Sequence, residues 1–402
     1  MSVAVWKWSG PRSLDEALEA ADAWQAFRPG MSVLIKPNAV MGGPSKISCK
    51  GITTSTTVVK EIIRIVREKG AGKLVIAEGS IELPSLKLNT ASAYQWSGMQ
   101  TLAEHEGIPL VDMNKGPHRV FTLRDGVRIE IADVVFNSDF IINAPVLKTH
   151  HQTVTTICLK NLKGCLSTRA KKNCHTQTDL NRAIAEFNRL IPCHLNVVDA
   201  LTATEIGPTP TGKQNQVREL GLILAGKDRL ACDVVGSFLL GYSAAQVPHM
   251  VEFAKLTGES LRLDDVVVVG EDPGRYAMKL EYCGSWLEDI LEKFAVKGMR
   301  IPTYGNGLCS ACGFNLWASL FKFCIENSGT EIIGGAELCA GTEVTPRYDL
   351  RHTILVGECA ISRNKKIENT IKAPGCPPDP RKVAAILYKA LISPKNEDDR
   401  DR

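Results

Sequence analysis

The feature that most restricts the fold of this chain is the alternation of short apolar runs with segments of helical periodicity. Residues 31–35 are predicted to form a strand, residues 57–69 carry apolar side chains at helical spacing, and residues 73–77 are the next predicted strand. Strand–helix–strand units of this kind are the crossovers of parallel sheets. Because the strands are apolar throughout, we expect a sheet with both faces covered. The sequence therefore predicts an α/β fold with a mostly parallel sheet flanked by helices.

The same alternation continues along the chain and divides it. The sequence pattern changes at residues 297–304, and a second run of predicted strands and helices follows. We therefore expect a domain boundary near Lys297. The predicted arrangement is an α/β domain at 1–296, a smaller α/β domain at 297–395 and a frayed, charged tail at 396–402. Predicted strands lie at 134–136, 140–143, 196–199, 220–225, 299–302, 331–333, 353–356 and 370–372. Predicted helices lie at 231–240, 315–326 and 380–391.

Composition argues against several classes of protein. The chain has 402 residues, 44% hydrophobic and 23% charged, and its net charge of +4 is too small to indicate a nucleic-acid or anionic-membrane partner. No stretch approaches the roughly 18 uncharged apolar residues of a membrane span, and the first residues lack the apolar core of a secretory signal. Thirteen cysteines without such a signal are typical of a reducing compartment. We therefore expect a cytoplasmic protein, from an anaerobe.

Four cysteines near the C-terminus are spaced like the ligands of a metal centre. Cys309 and Cys312 form the one Cys-x-x-Cys pair of the sequence, and Cys359 and Cys376 follow as single residues. Each segment follows a predicted strand, and ligands bind where the carboxyl ends of parallel strands meet. Four converging thiolates can bind a 4Fe–4S cluster. A structural zinc site and four buried, reduced thiols stay open as alternatives.

The order of these motifs carries a resemblance. Cys-x-x-Cys, then Gly-x-Cys, then Gly-Cys-Pro-Pro resembles the proximal-cluster domain of nickel–iron hydrogenase small subunits, and the last loop is similar to that of the cluster-bearing subunit of complex I. The resemblance implies that Cys309, Cys312, Cys359 and Cys376 ligate the iron of a 4Fe–4S cluster. Cys339 stays open as a substitute ligand, with a core thiol as the favoured interpretation.

The densest polar segment of the first domain begins after the strand predicted at 140–143. It carries Lys148 and His150 in a Leu-Lys-Thr-His run, and Lys160 in a Leu-Lys-Asn-Leu-Lys-Gly run. Such residues at the carboxyl end of a strand are well placed to meet an anionic substrate. We expect the two lysines to bind a carboxylate or phosphate and His150 to transfer a proton near neutral pH. A solvated basic loop is the alternative.

Two carboxylates further along the chain are additional candidates. Asp199 ends a predicted strand, and Glu205 follows it in a turn-rich loop. Either one could serve as an acid, a base or a metal ligand, and turn stabilisation is the alternative role. Lys36 and Asn38, which follow the first strand, are also candidates for contact with an anion.

Several segments of the first domain resemble the domain-of-unknown-function 362 family. They lie at 34–38, 147–150, 159–164, 198–200 and 231–233, in that family's order, and span about residues 30–240. The resemblance implies an iron–sulfur protein of anaerobic type, often fused to a cluster-binding segment, without a defined reaction. In architecture alone the domain is also similar to the lactate racemase family, in which histidines and a lysine hold a nickel cofactor. No histidine spacing in this sequence supports nickel.

These observations favour a 4Fe–4S oxidoreductase that acts on a small anionic organic substrate and receives electrons from a donor such as ferredoxin. A cluster with four cysteine ligands has no open iron, which favours electron transfer over Lewis-acid chemistry. The alternatives are a dehydratase or isomerase, which needs an open iron, and a non-catalytic electron-transfer or assembly protein that docks on a partner enzyme. No glycine-rich dinucleotide fingerprint follows a strand, so we expect no nicotinamide; a flavin stays open without a supporting motif.

Overall fold

The computed structural model describes residues 2–43, 46–205, 217–282, 287–302, 307–347 and 349–392. The chain divides into two compact units, Met1–Cys283 and Gly284–Arg402. This division precedes Lys297 because a helix at Glu288–Lys293 contacts the strand and the helix that follow it in the second unit. The charged tail predicted at 396–402 lies outside the described residues.

The first unit contains the larger sheet. The strands of this unit are β1 (Ser2–Lys7), β2 (Ser32–Pro37), β3 (Lys73–Glu78), β4 (Leu110–Asp112), β5 (His118–Thr122), β6 (Arg128–Ala132), β7 (Phe140–Ala144), β8 (Val146–His150), β9 (Val154–Thr156), β10 (Leu195–Thr204), β11 (Val217–Gly226) and β12 (Val267–Gly270). Strands β5 and β6 form a separate antiparallel pair, and the other strands form the larger sheet. Its helices are α1 (Arg12–Ala20), α2 (Thr56–Glu68), α3 (Thr90–Trp96), α4 (Met99–Glu106), α5 (Asp133–Phe136), α6 (Cys158–Asn161), α7 (Thr168–Thr176), α8 (Leu180–Leu190), α9 (Arg229–Leu239) and α10 (Pro248–Thr257).

The central sheet of this unit is mostly parallel, as predicted. Its order is β12-β1-β11-β10-β7-β2-β3-β4, and β8 pairs with β10 and with β9 beside this path. The strands from β10 to β4 run parallel, whereas β11 is antiparallel to both of its neighbours. The carboxyl ends of β2, β3, β4 and β7 therefore share one edge, where ligands bind in such sheets.

Helices cover both faces of the central sheet. Leu34 belongs to one hydrophobic core, whereas its neighbours Val33 and Ile35 belong to the other. Successive side chains of a strand point to opposite faces, so two cores require apolar residues at every position. Helices α1 to α4 supply one core and α6 to α10 supply the other. Helix α2 begins where Ser55 Oγ accepts the N–H of Thr57, so this hydroxyl serves as a cap.

One prediction for the first unit was wrong, and one alternative is excluded. Residues 134–136 form part of the single helical turn α5 rather than a strand, since so short an apolar run does not distinguish the two. Residues 146–150 are the buried strand β8 rather than a solvated loop. Pro145 separates this strand from β7, and β8 then pairs with β10. The polar residues of β8 therefore lie inside the protein.

The second unit is built on a parallel sheet of four strands. They are β13 (Lys297–Arg300), β14 (Glu331–Ala340), β15 (His352–Val356) and β16 (Thr370–Ala373), adjacent in chain order. The helices of this unit are α11 (Glu288–Lys293), α12 (Ser310–Glu326), α13 (Gly357–Arg363) and α14 (Pro380–Leu391). Helix α14 has the predicted bounds, and Asp379 caps it by accepting the N–H of Arg381 at 2.8 Å.

Three elements of the second unit differ from expectation. Helix α12 begins at Ser310 rather than at Asn315, so Cys312 lies inside its first turn. Strand β14 extends to Ala340, well beyond the predicted end at residue 333. Helix α13, which carries Cys359, was not predicted. Among the helices of the described segments, every one is too short or too polar to span a lipid bilayer.

Candidate functional site

A buried ion pair lies at the carboxyl edge of the central sheet. Lys36 Nζ, from the end of β2, donates to Glu78 Oε2, from the end of β3, at 2.9 Å. The same carboxylate accepts the backbone N–H groups of Ala39 and Gly79, at 3.0 and 2.9 Å. Both charged side chains are almost completely buried. A buried charge needs a partner and hydrogen bonds, and Glu78 provides them for Lys36.

A chain of side-chain amides extends from this pair across the sheet. Asn161 Oδ1 accepts from Lys36 Nζ at 3.3 Å and from Asn38 Nδ2 at 2.9 Å. Asn161 Nδ2 donates to Asn143 Oδ1 at 2.8 Å, and Asn143 Nδ2 donates to Asn196 Oδ1 at 3.0 Å. These bonds connect β2, α6, β7 and β10. They fix the edge of the sheet on which the candidate residues lie.

Gly164, which ends the Leu-Lys-Asn-Leu-Lys-Gly run, packs against the ion pair. A Cβ atom at this position would overlap Glu78 Oε1 and lie 2.8 Å from Lys36 Nζ. Asn161 and Gly164 therefore belong to the buried scaffold of the site. The two lysines of the run, Lys160 and Lys163, are only half-buried.

Lys148 is part of the scaffold rather than an open anion-binding group. Its Nζ donates to Asn38 Oδ1 at 2.8 Å and to the carbonyl oxygen of Ile52 at 2.6 Å. Burial lowers the pKa of Lys148 to about 7, against the opposing effect of Glu78 and with a further lowering by Lys36. Both hydrogen bonds go to neutral oxygens within the protein. The expectation that Lys148 contacts an anion directly is not supported by this geometry.

His150 lies at the end of β8, also buried. Its Nδ1 accepts the N–H of Gln152 at 3.1 Å, which assigns the proton of the neutral ring to Nε2. The ring stacks on that of His151 with centroids 4.5 Å apart. Burial, and then the charge of Lys160, hold the pKa of His150 well below its ordinary value. His150 is therefore an uncharged imidazole at neutral pH, able to donate a hydrogen bond from Nε2.

Positive charge accumulates around Lys160. Within the part of the chain that the structure describes, its ammonium has no hydrogen bond and no ion pair. Burial and the charges of Lys163 and Lys148 hold its pKa well below the ordinary value. Lys163 Nζ itself lies 2.6 Å from His175 Nε2. The neighbouring charges that act on Lys160 are positive, so an anion would relieve their repulsion.

The hairpin that joins β8 to β9 contains a strained residue. Val154 has a φ of +62°, in the left-handed region that a β-branched residue rarely adopts. Such strain costs about 1–3 kcal/mol and is found mainly at functional sites. The hairpin also holds His150, so its conformation fixes the position of that ring.

Asp199 and Glu205 stabilise loops near this edge. Asp199 Oδ2 accepts the N–H of Ser55 at 2.7 Å and Oδ1 that of Leu201 at 3.1 Å, and burial raises its pKa to about 6. Glu205 Oε1 pairs with Arg218 Nη2 at 2.6 Å. Among the described residues, neither carboxylate bonds to Lys148, His150 or Lys160. Both roles match the turn-stabilising alternative.

One residue near Lys160 was missed by the sequence analysis. His249 lies in α10 and is completely buried. Within the described residues, neither of its ring nitrogens has a hydrogen-bond partner. Burial, and then the charge of Lys160, lower its pKa to about 3. A single histidine on an apolar helix gives no local signal, because only tertiary contacts reveal the missing partners.

The four C-terminal cysteines lie at the carboxyl edge of the second sheet. Cys309 is the N-cap of α12, Cys312 lies in its first turn, Cys359 lies in α13 after β15, and Cys376 follows β16. The Cys312 thiol is hydrogen-bonded to that of Cys309. This bond, burial and the nearby charges of Cys309, Cys376 and Cys359 raise the pKa of Cys312 well above its ordinary value. Four thiols from three separate segments therefore lie near one another.

Hydrogen bonds join the loops that carry these thiols. The N–H of Glu358 donates to the carbonyl oxygen of Gly375 at 3.2 Å, and the N–H of Gly375 donates to Glu358 Oε1 at 3.0 Å. Asn315 Nδ2, one turn beyond Cys312, donates to the carbonyl oxygen of Pro378 at 2.8 Å. The segments of Cys312, Cys359 and Cys376 are thus held together by hydrogen bonds between the loops that carry them.

Among the described segments, no group of three or more His, Cys, Asp or Glu side chains is arranged to hold a single metal ion. In a cubane cluster each thiolate would bind a different iron. Neighbouring thiols that raise one another's pKa ionise together only beside a cation. Cys339 lies instead in a core with Val344 and Leu355, where burial raises its pKa to about 12.

Comparison with known proteins identifies the first unit. A family model described as "Domain of unknown function (DUF362)" matches residues 33–237. The thylakoid-associated protein sll1697 of Synechocystis sp. is 29% identical over 235 residues, which are 57% of this chain and 69% of that protein. A solved structure, the lactate racemase apoprotein from Thermoanaerobacterium thermosaccharolyticum, matches with a TM-score of 0.41 and 10% identity, over 97% of this chain and 81% of its own. The family model covers half of the sequence, and the chain belongs to the DUF362 family.

Proposed function

We propose that this protein is an iron–sulfur oxidoreductase whose first unit binds a small organic anion and whose second unit holds a 4Fe–4S cluster. The ligands would be Cys309, Cys312, Cys359 and Cys376. The observation that carries the proposal is their convergence: thiols from three segments lie together on loops joined by hydrogen bonds. When bound, such a cluster supplies one-electron transfer.

The protein's own contribution to cluster binding is a preformed set of thiols. Asn315 holds the Pro378 loop against α12, and Glu358 holds Gly375, so little chain entropy is lost when the thiolates are fixed. Cys376 is exposed, whereas the other three thiols are half-buried. An electron donor such as ferredoxin would therefore approach the site from the side of Cys376.

In the first unit, Lys160 is the residue that would bind the anionic group of the substrate. It is half-buried, and no described carboxylate pairs with it. His150 would donate from Nε2 to the same anion or to a neighbouring oxygen. A bound anion would offset the positive charges and raise the pKa of both groups, so that binding is accompanied by proton uptake. Lys148, already bonded to Asn38 and Ile52, would add a nearby positive charge that a bound anion offsets.

The cluster is tested by anaerobic purification, iron and sulfide analysis, and EPR after reduction with dithionite. We expect four irons per chain and a reduced-cluster signal. Cys312→Ser should lose both, whereas Cys339→Ser, which alters a buried thiol outside the quartet, should keep them. A colourless protein that contains zinc would refute the proposal.

Replacement of the exposed Cys376 distinguishes a cluster that transfers electrons from one with an open iron. If Cys376→Ser loses the cluster, four cysteines are required and electron transfer is favoured. If the variant keeps a cluster with unchanged iron content, Cys376 is not a ligand, and a dehydratase or isomerase with an open iron becomes the better assignment.

A further inference from the structure

His249 is the one fully buried histidine among the described residues whose two ring nitrogens both lack a partner. Buried polar groups in proteins nearly always have a hydrogen-bond partner, because an unpaired one loses its bonds to water without compensation. A histidine with only a packing role would place at least one nitrogen against a carbonyl or hydroxyl group. Both ring nitrogens of His249 are therefore available to a ligand that the described residues do not supply.

The neighbourhood of His249 indicates what that ligand is. Helix α9 contacts both the helix of His249 and the helix of Lys160: Ser237 Oγ donates to Met250 Sδ at 3.5 Å, and Asp233 Oδ1 accepts the N–H of Cys158 at 2.6 Å. The charge of Lys160 acts on the His249 imidazole, in agreement with this packing. Lys160 also lacks a partner in the described segments, and it is half-buried, so the region is reached from solvent on the side of the lysine. A cation and an imidazole donor that both lack partners match the oxygens of a carboxylate or a phosphate.

We infer that His249 is a ligand-binding residue and that its imidazole forms, with the ammonium of Lys160, a single oxyanion subsite. The inference rests on the proposed function, because it assigns the anion of the substrate to this pair. It adds a residue from α10 that no sequence motif includes. One oxygen of the anion bonds to Lys160 Nζ, and a second accepts the ring N–H of His249. The inner nitrogen of the ring is left to accept a hydrogen bond from the rest of the ligand.

The test uses thermal unfolding of the full chain in sodium acetate, sodium phosphate or sodium chloride at equal ionic strength. We expect acetate or phosphate to raise the unfolding midpoint of the wild type beyond the effect of chloride. The arm with the larger rise identifies the class of oxyanion. His249→Leu should unfold at the same or a higher temperature without anion, because two unpaired buried nitrogens are removed. Its anion-dependent rise should fall at least fivefold, as should that of Lys160→Met.

His105→Leu is the matched control, since this histidine on α4 is 76% exposed, and it should behave as the wild type in every salt. If His249→Leu keeps the full anion-dependent rise while Lys160→Met loses it, the inference is overturned and the proposed anion site stands. If no oxyanion stabilises the wild type, both fail.

A second measurement follows the His249 ring in the wild-type protein. Its imidazole NMR signals, assigned by their absence in His249→Gln, should shift on titration with sodium acetate or sodium phosphate. Signals that stay in place while the protein is stabilised would overturn the inference.

Discussion

Lys36 Nζ and Glu78 Oε2 lie 2.9 Å apart, with side chains that are 0% and 2% exposed. The two residues are 42 positions apart in the chain and come together because β2 and β3 are adjacent and parallel. The pair supports the segment that carries Lys160. Asn161 bonds to Lys36, and the turn at Gly164 packs against both charges. The position of Lys160, which directly precedes Asn161 in the chain, thus depends on the ion pair.

Glu78→Gln should destabilise the protein by about 3–5 kcal/mol, because it leaves the Lys36 ammonium buried without a counter-charge. The measurement is the free energy of unfolding in urea. Glu326→Gln is the control: it removes an exposed pair with Lys322 on α12 and should cost less than about 1 kcal/mol. An equal loss of unfolding free energy in the two variants would show that burial of the Lys36–Glu78 pair does not increase its contribution to stability.

Gly164→Ala should cost about 1–3 kcal/mol by overpacking, since the added methyl group would overlap Glu78 and approach Lys36. Loss of anion binding should accompany it, because the turn carrying Lys160 and Lys163 has to move. Gly116→Ala separates the steric effect from backbone strain. Its φ is +86°, and an added Cβ meets nothing within 4 Å, so it should cost about 1–2 kcal/mol without affecting anion binding.

The stability of the protein should rise with pH above neutrality through Lys148. Its folded pKa is about 7, whereas an unfolded lysine titrates near 10.4, so between these values the unfolded chain binds more protons. The slope from this residue is about 1 kcal/mol per pH unit. Lys148→Met should remove it, as followed by urea unfolding at several values between pH 7 and pH 10. Lys255→Met, which changes a 65% exposed lysine, should leave the slope as in the wild type.

Asp199 should give the opposite slope in acid. Its folded pKa is about 6 and its unfolded pKa about 3.9, so between these values the folded state binds more protons and stability falls as pH rises. Asp199→Asn should flatten the unfolding free energy between pH 4 and pH 6. Asp264→Asn, at an 81% exposed carboxylate, should not. An unchanged slope in Asp199→Asn would mean that another group titrates there.

Local patterns were sufficient for much of the fold. Apolar runs at 31–35 and 73–77 predicted β2 and β3 because a strand buried on both faces needs apolar residues at every position. Helix α14 was predicted with both of its bounds, because Asp379 and Pro380 form a start signal that acts within a few residues. The family was recognisable for the same reason: its motifs are short runs at strand ends, and they match residues 33–237.

Patterns that depend on distant partners were less informative. A basic loop stayed open as an alternative for the segment that forms β8 because Lys148 and His150 are polar. Lys148 is in fact buried, and it bonds to Asn38 and Ile52, about a hundred positions away. Glu78 was not identified as a site residue, since its partner lies on another strand. Helix α13 was missed because it is short, and because Cys359 suggested a loop.

Local sequence patterns are enough to establish the α/β class, the mostly parallel sheet and the family, because hydrophobic periodicity and turn residues act over a few positions. They also locate the cysteines at strand ends, and parallel strands bring such ends to one edge. Tertiary structure alone decided which polar groups have partners. Lys148 has hydrogen-bond partners within the chain, whereas Lys160 and His249 have no hydrogen-bond partner among the described residues. That difference arises from hydrogen bonds between segments far apart in the chain, which no local pattern encodes.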